Sequence, residues 1–200
     1  MFRWLGKFVL VLVLAAGVAA LVALYHSGDF FYTLHEWLGA GRYSRYDSLI
    51  VEAGNKYHID PLLLKAVIWR ESAFQSDMVG KDGERGLMQV MQAAAEDWAK
   101  SQKIENLQPK DLFDPKTNIE VGAWYLNRSL QHYSGKDDPV PFALAEYNAG
   151  RGRMNRWIGE NNLTEATANE FKGNISFPGT KSYVQAIQNR YNFYKTRERM

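Results

Sequence analysis

The sequence predicts an all-α domain that follows an N-terminal transmembrane helix. Several segments carry apolar residues at the i, i+3, i+4, i+7 spacing of one helix face, and no alternating run is long enough to predict a strand with assurance. The loop around Gly80 leaves room for a very small β-ribbon. Phe8 to Tyr25 is a run of eighteen uncharged, mostly apolar residues. A length of 200 residues fits one domain with a real core together with such an anchor.

The apolar run is long enough to cross a membrane as a helix. At about 1.5 Å per residue it would reach about 27 Å, close to the thickness of a hydrocarbon core of about 30 Å. Arg3 and Lys7 precede it, which predicts a cytoplasmic N-terminus and a domain on the outer face. A cleavable signal peptide is the alternative, with a small-residue site at Val18-Ala19-Ala20, but the apolar run continues past that site. We expect an anchor or signal sequence over residues 1–25, a stalk over 26–43 and the main domain over 44–200.

Charge and cysteine content narrow the function classes. The chain has 24 Lys and Arg against 22 Asp and Glu, and two of the basic residues, Arg3 and Lys7, precede the apolar run. The rest is neutral, without the clustered basic face expected of a nucleic-acid-binding protein. The sequence has no cysteine, which excludes an N-terminal lipid attached through that residue. The four histidines are His26, His35, His58 and His132. They show no spacing typical of metal ligands, so we expect neither a metal nor a cofactor.

Six helices account for most of the domain. A first is predicted by the apolar spacing of Tyr46, Leu49, Ile50, Ala53 and Tyr57. A second follows Asp60, a plausible N-cap, and Pro61, a plausible first helical residue. A third, with its N-terminus at Gly86, is predicted by Leu87, Val90, Met91, Ala94 and Trp98. A fourth opens at Asp114-Pro115 and ends before Gly135, with an inner face of Ile119, Ala123, Leu126 and Leu130. The last two are predicted over Phe142–Ala149, stopped by Gly150, and over Lys181–Tyr194.

Glu71 is the most informative residue of the second helix. Leu64, Val67, Ile68 and Glu71 share one face, which directs the carboxyl group towards the core. Loss of hydration disfavours a charged carboxylate and raises its pKa, and a glutamic acid that keeps its proton near neutral pH can act as a general acid. The helix alone leaves open the alternative of a buried glutamate whose hydrogen bonds are satisfied by an arginine or a backbone amide.

Two further segments decide between these alternatives. Gly86-Leu87-Met88-Gln89 begins fifteen residues after Glu71, and Glu146-Tyr147-Asn148-Ala149-Gly150 lies further along the chain. In this order and spacing they resemble the catalytic domain of the soluble-type lytic transglycosylases, which are lysozyme-like enzymes that cleave bacterial peptidoglycan. The resemblance covers residues 44–195. It extends to other matching pieces, namely Asp114-Pro115, Asn118-Ile119, Gly122 and Tyr183-Val184.

The resemblance implies a lysozyme-like helical fold and a role for each matching residue. Glu71 is the implied catalytic residue. Met88 would line the glycan groove, Gln89 would hydrogen-bond the sugar, and Tyr147 would support Glu71 and the substrate. The remaining implied substrate-binding residues are Asn148 and Tyr183. The residues themselves also allow other roles: Met88 could fill a gap in the core, and Asn148 could cap a helix.

The resemblance also implies a reaction with a single carboxylate. Glu71 would protonate the oxygen that leaves C1 of N-acetylmuramic acid in its β-1,4 bond to N-acetylglucosamine. The resulting carboxylate would accept the proton of the same sugar's 6-hydroxyl as this attacks C1, with the substrate's acetamido group stabilising the cationic intermediate. The product is a 1,6-anhydromuramoyl end. The implied partners are peptidoglycan glycan strands, with the membrane bound through the N-terminal helix.

Three positions depart from the family pattern. Gly80 stands where the family usually has a serine. Its missing hydroxyl, which could orient Glu71, would have to come from Ser72 or Ser76. Pro178-Gly179-Thr180 stands where the family has Pro-Glu-Thr, and Glu146 occupies a place often filled by a small residue. The sequence also leaves open a hydrolytic lysozyme of the goose type, in which a second carboxylate would activate water. The candidates for this carboxylate are Glu146 and three loop residues, Asp77, Asp82 and Glu84. A peptidoglycan-binding module without catalysis is the other alternative.

Overall fold

The computed structural model describes residues 16–19 and 41–197. The chain divides into two units, Met1–Arg45 and Tyr46–Met200. Residues 16–19 are helical. Across the two described ranges, no helix combines the length and the apolar character needed to span a bilayer. The predicted anchor over 1–25 and the stalk over 26–43 lie almost wholly outside the described residues, so both stay predictions.

The regular elements in the described part of the second unit are all helices, which confirms the predicted all-α class. Its helices are α1 (Asp47–Tyr57), α2 (Pro61–Ser72), α3 (Gln92–Gln102), a 3-10 helix (Pro109–Phe113), α4 (Pro115–His132), α5 (Val140–Ala149), α6 (Arg151–Glu160), α7 (Ala168–Asn174) and α8 (Pro178–Arg197). Over residues 46–197, strand-like pairing is confined to two isolated antiparallel bridges, Val79 with Arg85 and Arg85 with Val90. These bridges lie in and beside the loop for which a small ribbon was considered.

Two apolar helices form the centre of the domain. α2 packs between α1 and α8, while α5 contacts α4, α6, α7 and α8. Contact on several sides explains why both helices are apolar around most of their circumference. The fully buried residues include Leu64, Val67 and Ile68 of α2 and Phe142, Ala143 and Leu144 of α5. Burial of each large aliphatic or aromatic side chain contributes about 1.5–3 kcal/mol. α8 runs along α2, with Tyr183 bonded to Glu71 near the C-terminal end of α2 and Tyr191 bonded to Asp60 at its N-terminal end. The first turn of α8 also bonds the C-terminal end of α5, through Thr180 and Asn148.

Local signals begin and end these helices as predicted. The Asp60 side chain accepts a hydrogen bond from the backbone N–H of Leu62 at 2.9 Å, with Pro61 at the first helical position. The Asp114 side chain caps α4 in the same way, through the N–H of Thr117 at 2.8 Å. Gly150 has a φ of +84°, a conformation open to glycine at little cost, and it ends α5.

The predicted start of the third helix is wrong. α3 begins at Gln92 rather than at Gly86. Gly86 and Gln89 have φ values of +74° and +46°, which are incompatible with a continuous right-handed helix. The backbones of Arg85 and Val90 instead exchange two hydrogen bonds, at 3.0 and 2.9 Å. Residues 85–90 are therefore a tight turn, from which Leu87 reaches the core while Met91 remains 44% exposed.

Three short elements were not predicted: the 3-10 helix, α6 and α7. In α6 only Met154 and Trp157 are buried, so its apolar pattern is too sparse to indicate a helix. α7 has seven residues and begins with a capping box, in which Thr167 and Glu170 bond each other's backbone N–H groups. Both helices pack on α5.

Candidate active site

Glu71 lies in the last turn of α2, half-buried, at the centre of the predicted site. Its Oε1 accepts a hydrogen bond of 2.5 Å from the Tyr183 hydroxyl. Burial raises the pKa of Glu71 from an ordinary 4.5 to about 7. The Tyr183 hydrogen bond and the positive charge of Arg70 act in the opposite direction, and the negative charge of Glu84 adds to the rise. A carboxyl group with this pKa can both give and take a proton near neutral pH.

Two tyrosine hydroxyls lie near this carboxyl group, one from the buried Tyr183 and one from the half-buried Tyr147. Tyr183, on α8, is 2% exposed and supplies the hydrogen bond to Glu71. Tyr147, on α5, donates its hydroxyl proton to the backbone carbonyl of Met88 at 2.9 Å. Burial raises the pKa of both hydroxyls well above the usual range, and the neighbouring Glu71 raises both further. Both tyrosines are therefore neutral O–H donors throughout the pH range in which Glu71 titrates.

The Gly86–Gln89 turn is held by a buried asparagine from α4. Asn118 is 0% exposed. Its Oδ1 accepts from the N–H of Met88 at 2.8 Å, and its Nδ2 donates to the carbonyls of Leu112 and Arg85 at 2.7 and 2.8 Å. A side chain at Gly86 would collide with Asn118 and with the Leu112 carbonyl. The turn that carries Met88 and Gln89 is thus fixed from a position thirty residues later in the chain.

Met88 is part of the core, which is the other role that the sequence left open beside a place on the glycan groove. Its side chain is 0% exposed and packs against Gly122, where an added Cβ would come within 2.7 Å of the Met88 Cβ. Close packing of this kind accounts for the residue without a ligand. A substrate-binding role for Met88 stays a prediction, and its observed contact with the site is the carbonyl that accepts from Tyr147.

A cavity of about 300 Å³ opens beside these residues. Its wall combines polar and aromatic side chains with a short apolar strip. The lining residues are Asp82, Glu84, Gln89, Val90, Met91, Ala94, Gly122, Tyr125, Tyr147, Asn148, Ala149 and Gly150. A cleft that joins apolar surface to a few polar groups is typical of a small-molecule site. Glu71 does not itself line this cavity. Two residues of the cavity wall, Tyr147 and Glu84, interact electrostatically with the Glu71 carboxyl group.

Gln89 and Asn148 lie on the cavity wall, as their predicted roles require, and those roles stay predictions. The Gln89 amide donates to the carbonyls of Gly86 and Met78 at 2.9 and 3.3 Å. Asn148 is exposed, and its Oδ1 accepts from the Thr180 hydroxyl at 2.8 Å. This bond links the end of α5 to the first turn of α8. A side chain at Gly179 would meet nothing within 4 Å, so the departure at that position leaves packing unchanged.

Ser72, one of the two serines expected to replace a hydroxyl at residue 80, does not bond Glu71. Ser72 is buried and donates to the carbonyl of Leu87 at 2.8 Å. The hydroxyl on Glu71 comes from Tyr183 instead. No local pattern could have predicted this pairing, because 112 positions separate the two residues.

Glu146 is a structural carboxylate. It is 0% exposed and accepts from Ser129 at 2.9 Å, from His132 Nδ1 at 2.8 Å and from Arg151 at 2.9 Å. Burial alone would raise its pKa, but the bonds from Arg151, His132 and Ser129 outweigh burial and hold the pKa below its ordinary value. The network joins α4, α5 and α6, and Glu146 does not line the cavity.

The structure places two further residues on the cavity wall, Tyr125 and Glu84, which the sequence did not single out as site residues. Tyr125 of α4 packs edge-on against Tyr147, with ring centroids 5.6 Å apart. Glu84 was predicted only as one of several loop acids.

In the ranges that the structure describes, no three His, Cys, Asp or Glu side chains are grouped so that they could hold a metal ion. The expectation of no cofactor stays a prediction.

Residues 48–170 match the family model described as the Transglycosylase SLT domain. The chain belongs to this family. It is 34% identical over 123 residues to the soluble lytic murein transglycosylase of Escherichia coli (strain K12), covering 61% of this chain and 18% of that protein. It is 34% identical over 116 residues to the membrane-bound lytic murein transglycosylase F of Ectopseudomonas mendocina, covering 56% of this chain and 22% of that protein.

Solved structures show the same likeness. The crystal structure of the 70 kDa soluble lytic transglycosylase of Escherichia coli superposes with a TM-score of 0.68 and 30% identity, covering 76% of this chain and 24% of that one. A complex of the 70 kDa soluble lytic transglycosylase with bulgecin A gives a TM-score of 0.69 at 30% identity and the same coverage. An inactive Glu-to-Gln mutant of the lytic transglycosylase Slt from Pseudomonas aeruginosa gives 0.66 at 26% identity, again over 76% and 24%. The chain thus spans about a quarter or less of each of these relatives.

Proposed function

We propose that this protein is a peptidoglycan lytic transglycosylase. It cleaves the β-1,4 bond between N-acetylmuramic acid and N-acetylglucosamine and forms 1,6-anhydromuramoyl ends. The observation that carries the proposal is the Glu71 carboxyl group, whose pKa of about 7 is set by burial and whose oxygen accepts from the Tyr183 hydroxyl at 2.5 Å beside the cavity. Family membership and the lytic transglycosylases among the relatives support it.

Glu71 serves as acid and then as base. With a pKa near neutrality, a large share of the molecules carry a protonated Glu71 that can donate to the glycosidic oxygen. The hydrogen bond from Tyr183 favours the carboxylate that this step creates, since a neutral hydroxyl donates more strongly to a charged oxygen. The carboxylate then accepts the proton of the 6-hydroxyl as the anhydro ring closes. One group performs both transfers, in contrast to the two carboxylates of most glycoside hydrolases.

The relatives support an essential glutamate and a site that can hold a ligand. The Pseudomonas aeruginosa relative is inactive as a Glu-to-Gln mutant, and the 70 kDa soluble enzyme forms a complex with bulgecin A. In this chain the cavity beside Glu71 would hold the glycan, with Gln89, Tyr147 and Asn148 as its polar and stacking contacts. Tyr183 would act on the substrate indirectly, through the orientation of Glu71, because it is 2% exposed.

Residues 1–25 anchor the enzyme to the membrane in this proposal. The apolar run from Phe8 to Tyr25 and the preceding Arg3 and Lys7 place residues 44–200, the catalytic domain, on the extracytoplasmic face, behind a stalk over 26–43. Membrane-bound lytic transglycosylases occur among the relatives, as do soluble ones. Full-length protein that fractionates with membranes at its full mass would support the anchor, and a shorter soluble product would show a cleaved signal peptide instead.

The test of the reaction is turnover of purified cell wall by the full-length chain and its Glu71→Gln variant. Gln preserves the size of the side chain but cannot transfer a proton, so turnover should fall at least about a hundredfold, the lower end of what a positioned acid–base group contributes. Retention of glycan binding by the variant is expected. Wild-type protein that binds the glycan without cleaving it would establish a non-catalytic binding module, and reducing ends among the products would establish a hydrolytic lysozyme.

A further inference from the structure

Two hydrogen bonds, joined by the backbone of Met88, link a buried asparagine to the cavity wall. Asn118 of α4 accepts at Oδ1 from the Met88 N–H at 2.8 Å, and the Met88 carbonyl accepts from the Tyr147 hydroxyl at 2.9 Å. Tyr147 lines the cavity, as does Gln89, the next residue of the turn. Asn118 is buried and does not line the cavity, so it can affect a bound ligand only through such residues.

The Asn118 side chain is held in one orientation. Its Nδ2 donates to the carbonyls of Leu112 and Arg85 at 2.7 and 2.8 Å, which uses both protons of the amide and leaves Oδ1 as the acceptor for Met88. One side chain therefore bonds the turn at two points, the carbonyl of Arg85 and the N–H of Met88.

The bond to Met88 also determines what Tyr147 can offer a ligand. A phenol hydroxyl has a single proton, and here that proton is donated to the Met88 carbonyl. The Tyr147 oxygen therefore keeps only the capacity to accept, which suits the O–H and amide N–H groups of an N-acetylated sugar. If the Met88 carbonyl moved away, the hydroxyl could rotate and would lose this defined role.

We propose that Asn118 is a positioning residue for the reaction, which fixes the Tyr147 hydroxyl through the backbone of Met88. This inference rests on the proposed function, in which the cavity holds the glycan beside Glu71. Asn118→Ala would leave the Met88 N–H and two carbonyls without their buried partner, a costly arrangement that favours displacement of the turn. Since a displacement of about 1 Å can cost about a hundredfold in rate, we expect kcat/KM to fall by roughly 10- to 100-fold.

A double-mutant cycle tests whether Asn118 acts through Tyr147. Full-length wild-type protein, Asn118→Ala, Tyr147→Phe and the double variant are compared in kcat/KM on soluble glycan strands prepared from purified cell wall. Tyr147→Phe removes the hydroxyl that Met88 holds, so Asn118→Ala should cost at least about threefold less in that background than in the wild type. An equal fold-loss in both backgrounds would overturn the proposal, because two independent contributions multiply.

NMR of tyrosine labelled with ¹³C at Cζ observes the hydroxyl without the reaction. Tyr147→Phe identifies the Tyr147 signal, and Tyr191, whose hydroxyl donates to Asp60 at 2.6 Å, reports on the rest of the fold. Asn118→Ala should move the Tyr147 signal and leave that of Tyr191 in place. A Tyr147 signal that stays in place would overturn the proposal.

Tyr57→Phe is the matched control for the loss of a buried hydrogen bond. It removes the bond that the Trp98 indole N–H donates to the Tyr57 hydroxyl at 3.1 Å, and neither residue lines the cavity. This variant should leave both kcat/KM and the Tyr147 signal unchanged. Changes equal to those of Asn118→Ala would overturn the proposal, since they would show a general response to lost stability.

Asn118→Asp keeps the proposal testable if Asn118→Ala does not fold. Asp retains the size and the acceptor for Met88, but as a carboxylate it has no proton for the carbonyls of Leu112 and Arg85. A protonated Asp regains one donor, so the Tyr147 signal should approach that of wild-type protein at the same pH as the pH falls. A Tyr147 signal and a kcat/KM equal to those of the wild type at every pH would overturn the positioning role.

The two tests separate this inference from the proposed function. Protein that shows the expected NMR changes but cleaves no wall would confirm the link from Asn118 to Tyr147 and refute the proposed function. Protein that cleaves wall equally well with and without Asn118 would overturn the positioning role and leave the proposed function in place.

Discussion

Glu71→Gln should stabilise the fold in a manner that depends on pH. The wild-type carboxyl has a pKa of about 7 in the folded protein against an ordinary 4.5. Below pH 4.5 both folded and unfolded states hold the proton, and Glu71 costs nothing. Above pH 7 both states are ionised, and the folded state bears the cost of a charge in a poorly hydrated site. Stability attributable to Glu71 is therefore lost as the pH rises from about 4.5 to about 7.

The size of the effect follows from the same shift. One pKa unit corresponds to about 1.4 kcal/mol, so the full difference sets a ceiling of about 3 kcal/mol. Glu71 is only half-buried, so about 1–3 kcal/mol is the expected gain of the glutamine variant at pH 8. Gln also retains an acceptor oxygen for the hydroxyl of Tyr183.

Urea denaturation followed by far-UV circular dichroism measures this gain. Wild-type and Glu71→Gln full-length proteins are compared at pH 5 and pH 8, so that the titration of all other groups cancels in the difference. We expect a small advantage of the variant at pH 5, where the loss has only begun, and a clearly larger advantage at pH 8. A variant that is less stable at pH 8, or a difference that is the same at both pH values, would refute the assignment of a raised pKa to Glu71.

The remaining predictions concern the network, the core and the domain boundary. Glu146→Gln should destabilise the protein at pH 8 by about 1–2 kcal/mol, because it removes the negative charge to which Arg151 and His132 are bonded, and both partners are partly exposed. Because the pKa of Glu146 is lowered in the folded protein, the difference in stability should shrink as the pH falls below the ordinary 4.5. An unchanged or increased stability would contradict the structural role. Met88→Ala should cost about 2–5 kcal/mol in urea denaturation, whereas Met88→Leu should cost less than about 1.5 kcal/mol; equal, small losses would show that Met88 is not core packing. A fragment that begins at His26 should be soluble, helical by circular dichroism and active on isolated wall, and aggregation or loss of helicity would place the boundary elsewhere.

Local chemistry explains which parts of the fold the sequence predicts. The pairs Asp60-Pro61 and Asp114-Pro115 place a capping carboxylate and a preset φ at adjacent positions, and both begin helices. The spacing of Leu64, Val67 and Ile68 predicts the buried face of α2 and, with it, the partly buried carboxyl of Glu71. These signals extend over one or two turns of chain, so no distant contact is needed to recognise them.

The errors arise where distant residues decide the local structure. Leu87 and Val90 have helical spacing, but they lie in a turn because Asn118 binds its backbone and Gly86 and Gln89 adopt positive φ. Met88 is buried by its contact with Gly122 on another helix.

The site itself depends on distant contacts as well. The hydrogen bond between Tyr183 and Glu71 joins residues 112 positions apart. The Glu84 carboxylate lies over Gly80 and accepts from the backbone N–H of Asp82. The sequence of this loop does not indicate that turn geometry. Composition and spacing therefore predict the acid, whereas its electrostatic surroundings require the folded chain.

Mass spectrometry of the muropeptides released from purified cell wall tests the central claim most directly. Wild-type protein should release fragments with 1,6-anhydromuramoyl ends, each lighter by one water than the corresponding hydrolysis product, and Glu71→Gln should release almost none. Fragments with reducing muramic ends, lost equally in Glu71→Gln and Glu84→Gln, would contradict the account and show a hydrolase that uses two carboxylates.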